Sequence, residues 1–118
     1  MTEKDVLESR EFAINVAKIA RDNNSRQVQV LDLRGKSPAT DFFVVCTSTS
    51  QRQARTVSDE INNYSKEVDY MRFGQAGHEA GRWILLDFVN VVVHIFDDEY
   101  RDYYQIERLW GDAEVLNF

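Results

Sequence analysis

Few side chains in this chain are of a type and spacing that could do chemistry. His94 and Asp87 come first, because an imidazole and a carboxylate on one sheet face are the parts of an acid–base pair. If Val89-Asn90 is a two-residue hairpin turn, Phe88 meets Val91, Leu86 meets Val93 and Ile84 meets Ile95. That register sets His94 opposite Leu85 and Asp87 opposite Val92. The two groups are then diagonal neighbours, and a hydrogen-bonded structural histidine is expected instead. The run Asp97-Asp98-Glu99 offers ligands for a divalent cation, yet three adjacent acids rarely converge on one centre. A capped helix start whose dipole favours acids accounts for them.

The strand-to-helix turn Thr47-Ser48-Thr49-Ser50 has neither the glycines nor the lysine of a phosphate loop. Capping by Ser50 is its expected role. Between Gly74 and Gly81 the glycines do not match a dinucleotide fingerprint, and His78 and Glu79 there read as part of a connecting loop. Zinc needs several Cys or His ligands, whereas two histidines and one cysteine stand far apart here. Cys46 reads as a small core residue, and a single cysteine excludes an internal disulfide and fits a reducing compartment. No catalytic residue, metal or cofactor is expected.

The elements that carry these residues follow from periodicity. Phe12, Ala13, Val16, Ala17, Ile19 and Ala20 recur at helical spacing between Lys4 and Asp22. Val28–Leu33 favours a strand, Ser37–Asp41 a turn, and Phe42–Cys46 a strand covered on both faces. Ser50 and Gln53 form a capping box for a helix whose stripe is Ala54, Val57, Ile61 and Tyr64, ending near Glu67. Val68–Phe73 is the expected third strand. The hairpin follows, and then a last helix capped by Asp97 or Asp98, with Tyr103, Ile106 and Trp110 on one side and a stop at Gly111. This order describes an α/β domain with a mixed sheet of about five strands and flanking helices, one domain over residues 1–118.

Composition narrows the partners. A net charge of −6 disfavours gripping phosphate backbones and suits a basic protein partner. The acidic N-terminus does not look like a leader, and no apolar run approaches the ~20 residues that span a bilayer, so a cytoplasmic protein is expected. In the hairpin, Ile84, Leu86, Phe88, Val91, Val93 and Ile95 form a uniformly apolar face that must be core. The opposite face mixes Trp83, Leu85, Asp87, Val92, His94 and Phe96. Together with Tyr103, Tyr104 and Trp110, these aromatics are either a second core layer beneath a helix or the centre of an interface. Three helices must cover two sheet faces, so part of this face is expected to stay open.

The motifs, taken in order, resemble the ribosomal silencing factor (Iojap-like) family. Ser37–Gln53 is similar to its Asp-aromatic-Phe, short β run and Thr-Gly-x-Ser-x-Arg-Gln pattern. Gly77–Asp87 matches its glycine-x3-glycine-x-Trp-x-Leu-x-Asp motif, and Val91–Phe96 with Glu99, Arg101, Tyr103-Tyr104, Glu107, Leu109-Trp110 and Gly111–Ala113 matches the remainder. The chain departs from it twice: Ser48 replaces a glycine, and Val89-Asn90 replaces Gly-Asp. The resemblance implies a nucleotidyltransferase-like fold without catalytic carboxylates. It implies a factor that binds large-subunit ribosomal protein fourteen on the subunit-joining face, blocks the small subunit and lowers translation, notably when nutrients are scarce. It also implies that homodimers can form. On this reading the partner-binding residues are Trp83, Leu85, Asp87, Tyr104, Glu107 and Trp110, with little direct RNA contact. Two other readings stand beside it. One is a nucleotide-handling enzyme using the Thr47–Ser50 turn and the acids near Asp97; the other is a homodimer closing the hairpin face on itself.

Overall fold

A computed structural model describes residues 3–118, with side chains from Ser9 onward. Helix α1 (Glu3–Asp22) presents Phe12, Ala13, Val16, Ala17 and Ala20 as one buried stripe. It closes on Asn24, whose positive φ of 69° is the left-handed conformation asparagine tolerates at a helix end. Strand β1 (Arg26–Asp32) then pairs antiparallel with β2 (Phe42–Thr47). Helix α2 (Gln51–Glu67) starts as expected: Ser50 Oγ accepts from the Gln53 N–H at 2.9 Å. The reciprocal bond of the box shifts by one residue, since Gln53 Oε1 accepts from the Thr49 N–H at 3.1 Å.

Strand β4 (Trp83–Asp87) and strand β5 (Val91–Phe96) make the hairpin in the expected register, with Ile84 opposite Ile95, Leu86 opposite Val93 and Leu85 opposite His94. β5 lies parallel to β2, Phe42 beside Val91 through to Thr47 beside Phe96, and this central pair is buried apart from the half-buried Phe43 and Val92. With β3 (Gly74–Ala76) and β6 (Glu114–Leu116) at its edges, the sheet order is β3-β4-β5-β2-β1-β6. Helices α1 and α2 cover one face, where Phe42, Val44, Cys46, Ile84, Leu86, Phe88, Val91, Val93 and Ile95 meet them in a single core. Period-2 alternation sends the intervening residues to the other face.

Four expectations needed correction. Val68–Phe73 is not a strand. Val68 caps α2, Asp69 takes a left-handed φ of 56° and the Tyr70 N–H bonds back to Ser65 O at 2.8 Å, so these residues close the helix. The third strand is β3 (Gly74–Ala76), inside the stretch read as a loop, pairing antiparallel with β4. The last helix, α3 (Asp98–Tyr104), stops early because Gln105 adopts a left-handed φ of 43°, and Ile106–Trp110 continues as a 3-10 turn. Tyr103, within α3, is 79% exposed instead of lining a packed side with Ile106 and Trp110. Finally, β6 (Glu114–Leu116) adds a sixth strand along β1.

Candidate partner-docking face

The second sheet face carries Phe43, Val45 and Thr47 from β2, Trp83, Leu85 and Asp87 from β4, and Val92, His94 and Phe96 from β5. Its two ends differ. At the Phe96 end α3 seals it: Phe96 is fully buried, and Arg101 reaches down to donate to Thr47 Oγ1 and Gln27 O, each at 3.0 Å. At the hairpin-turn end Leu85, Asp87 and Val92 are only half-buried. The neighbouring β3 places Gly74 beside Asp87 and Ala76 beside Leu85, and a Cβ built on Gly74 would meet nothing within 4 Å. A small-residue edge strand thus leaves the flank of Leu85 and Asp87 open.

Chains of ring contacts join this face to the C-terminal segment. Trp83 packs against Phe96 at 5.0 Å and Tyr104 at 4.8 Å between centroids, and Tyr104 against Tyr103 at 4.9 Å. Trp83 Nε1–H donates to His94 Nδ1 at 3.1 Å. His94 meets Phe43 edge-on at 4.8 Å, and Phe43 meets Trp110 edge-on at 6.4 Å. Trp83 and Trp110 are both half-buried, and Leu109 beside Trp110 is 75% exposed. Of the residues singled out from sequence, Trp83, Leu85, Asp87, Tyr104 and Trp110 are brought to this face. Glu107 is not free in the same way: its Oε1 accepts from Arg101 at 3.0 Å, and its Oε2 is buried without a partner. His94, expected as a hydrogen-bonded structural histidine on this face, is one, whereas Phe43 and Arg101 were not singled out as parts of the site. For Phe43 the signal was its alternate position in β2; nothing in the sequence placed Arg101 beneath the face.

The face is polar where it needs orientation. Asp87 Oδ1 accepts the Val89 N–H at 2.8 Å, which holds the carboxylate at the hairpin rim. His94 is 6% exposed, and burial pushes its pKa down to about 4, so the ring is neutral near pH 7. With Nδ1 accepting from Trp83, the proton resides on Nε2, which has no partner.

The groups considered for catalysis are engaged elsewhere. Asp97 caps α3 through the Tyr100 N–H at 2.7 Å and pairs with Arg82 at 2.8 Å. Glu99 also pairs with Arg82 at 2.8 Å, and Asp98 pairs with Arg26 at 2.5 Å. The Arg82 guanidinium lies 4.4 Å over the Tyr100 ring. Ser48 Oγ donates to Phe96 O at 3.2 Å, and His78 Nε2 lies 2.8 Å from Asp59 Oδ1 on the surface. Burial raises the Cys46 pKa to about 12, which leaves that thiol unreactive. Among the described residues no three His, Cys, Asp or Glu side chains gather where they would hold a metal ion, and no helix is long and apolar enough to cross a membrane.

Comparison with known proteins returns consistent matches. A family model described as "Ribosomal silencing factor during starvation" matches residues 6–118. The chain is 36% identical to "Ribosomal silencing factor RsfS" of Halalkalibacterium halodurans, over 80% of this chain and 81% of that protein. It is 27% identical to "Mitochondrial assembly of ribosomal large subunit protein 1" of Mus musculus, over 78% of this chain and 42% of that protein. A crystal structure of a Chromobacterium violaceum protein superposes with a TM-score of 0.80 at 32% identity, covering 89% of this chain and 85% of the other.

Proposed function

The chain belongs to the ribosomal silencing factor family, and from that membership we propose that it docks on the large ribosomal subunit in the cytoplasm, through ribosomal protein fourteen, and keeps the small subunit away. It is a steric regulator without a reaction of its own, and translation falls while it is bound. The observation that carries this reading is the half-open second sheet face, where half-buried Leu85 and the rim carboxylate of Asp87 lie beside a small-residue edge strand and the half-buried rings of Trp83 and Trp110 share the face. Aromatic anchors around a few oriented polar groups are the composition of an interface centre.

Trp83, Leu85, Tyr104 and Trp110 supply the apolar area. Asp87 directs a basic group of the partner, in keeping with the −6 net charge and a surface among basic ribosomal proteins. Glu107 acts through Arg101, holding the 3-10 turn and hence Trp110 against the sheet. The test is co-sedimentation with purified large subunits. Asp87→Asn keeps an oxygen for the Val89 N–H and removes the charge; it should weaken binding about tenfold, the equivalent of about 1.4 kcal/mol. Asp87→Arg should weaken it further while circular dichroism stays unchanged. Unaltered co-sedimentation of both variants removes Asp87 from the interface.

A further inference from the structure

His94 sits where an apolar side chain would be the simpler choice. Its strand neighbours are Leu85 on β4 and Val45 on β2, and the rings of Phe43, Phe96 and Trp83 pack around it. Leucine would fill this volume with no polar atom to satisfy. The imidazole instead leaves Nε2–H buried without an acceptor, an arrangement that costs the folded state. What it offers in return is Nδ1, 3.1 Å from the indole nitrogen of Trp83. The other ring contacts of Trp83 are tilted by 31° against Phe96 and 42° against Tyr104. Such contacts limit tilt but leave the indole free to turn in its own plane. A hydrogen bond to the one polar atom of the indole removes that freedom.

We propose that His94 is a positioning residue for docking: by accepting the Trp83 indole N–H it holds the indole in the orientation that meets the partner. The inference rests on the docking reading above and deepens it. A neutral acceptor is required, and the depressed pKa of the buried ring keeps it neutral. Fixing an anchor before contact strengthens binding by lowering the ordering cost of association, not by adding a contact.

The experiment compares wild type, His94→Gln and His94→Leu in three measurements. These are co-sedimentation with purified large subunits, the urea midpoint, and the exchange rate of the Trp83 indole N–H by NMR, assigned with a Trp110→Phe variant. His94→Leu should bind about tenfold more weakly, as expected for one lost oriented hydrogen bond. Its urea midpoint near pH 7 should equal or exceed that of wild type, and its indole proton should exchange at least tenfold faster. His94→Gln retains a neutral oxygen acceptor and should restore binding and slow exchange to within about threefold of wild type. In a Trp83→Phe background His94→Leu should weaken binding no further. Wild-type affinity in His94→Leu overturns the proposal, as does a His94→Gln variant as weak as His94→Leu. Absence of large-subunit binding by the wild type overturns the docking reading and this inference together, whereas equal binding by all three proteins overturns the inference alone.

Discussion

Replacing His94 with glutamine should flatten the acid limb of the stability profile. In the unfolded chain a histidine titrates near 6.5, and in the fold burial holds His94 near 4. Between those values the unfolded state carries a proton that the folded state does not. Stability is therefore complete above about pH 6.5 and is lost as the pH falls toward 4, at about 1.4 kcal/mol per pH unit in mid-range. From about pH 7.5 down to 4.5 the loss attributable to this one ring is about 2.5 kcal/mol. A urea slope of about 1–1.5 kcal/mol/M for a chain of this size converts that into a fall in midpoint of about 2 M. Asp32, whose carboxyl is held below its usual pKa chiefly by hydrogen bonds from Arg34, contributes stability that disappears only in more acidic solution. The assay is a series of urea titrations of wild type and His94→Gln across that range. The difference between the two curves isolates His94, because His78 and every carboxylate are common to both proteins. A difference that stays constant with pH would refute the claim that the imidazole is buried and neutral.

Three further outcomes follow from local geometry. Val89 holds a φ of 69° while the Asn90 N–H bonds to Phe88 O at 2.9 Å, a tight γ-turn that a β-branched residue adopts at a cost of about 1–2 kcal/mol. Val89→Gly relieves that strain and, after the extra entropy of an unfolded glycine, should raise stability by about 0.5–1 kcal/mol in thermal or urea unfolding; a lower midpoint would contradict the strain. Arg101→Ala leaves the Glu107 carboxylate partly buried with no cation and should cost about 3 kcal/mol, much of it recovered in the double variant Arg101→Met with Glu107→Leu, as urea midpoints would show. Gly77→Ala places a Cβ 2.0 Å from Trp83 O at a φ of +79°, so it should destabilise by more than about 1 kcal/mol and, by displacing the start of β4, weaken co-sedimentation with large subunits.

The hairpin was legible in the sequence because one residue of slip would turn Ile84, Leu86, Val93 and Ile95 to the wrong face. Ser50 and the Asp97-Asp98 pair announced their helices because a cap is a local interaction, and the structure gives that role to Asp97. What escaped was set by distant partners or by strain. Glu114–Leu116 is a strand only because β1 offers it an edge, and three residues carry no pattern of their own. Val68–Phe73 has strand-like composition, but the closing bonds of α2 took its first residues. Gln105 breaks the last helix without a glycine or proline to signal it. The turn at Val89-Asn90 was placed correctly, but nothing in the sequence signalled that its positive φ would fall on the β-branched Val89. In the candidate face, the alternation of Trp83, Leu85 and Asp87 could be read directly. The pairing of Glu107 with Arg101 depends on that unannounced break in the helix.

The central claim is that this chain acts by occupying the large subunit. Sucrose-gradient profiles of purified small and large subunits, mixed with and without the protein, test it most directly. The account predicts that the joined-ribosome peak falls as protein is added, that free subunits rise, and that the protein travels with the large subunit. An undiminished joined peak, or protein found with the small subunit or with neither, would contradict it.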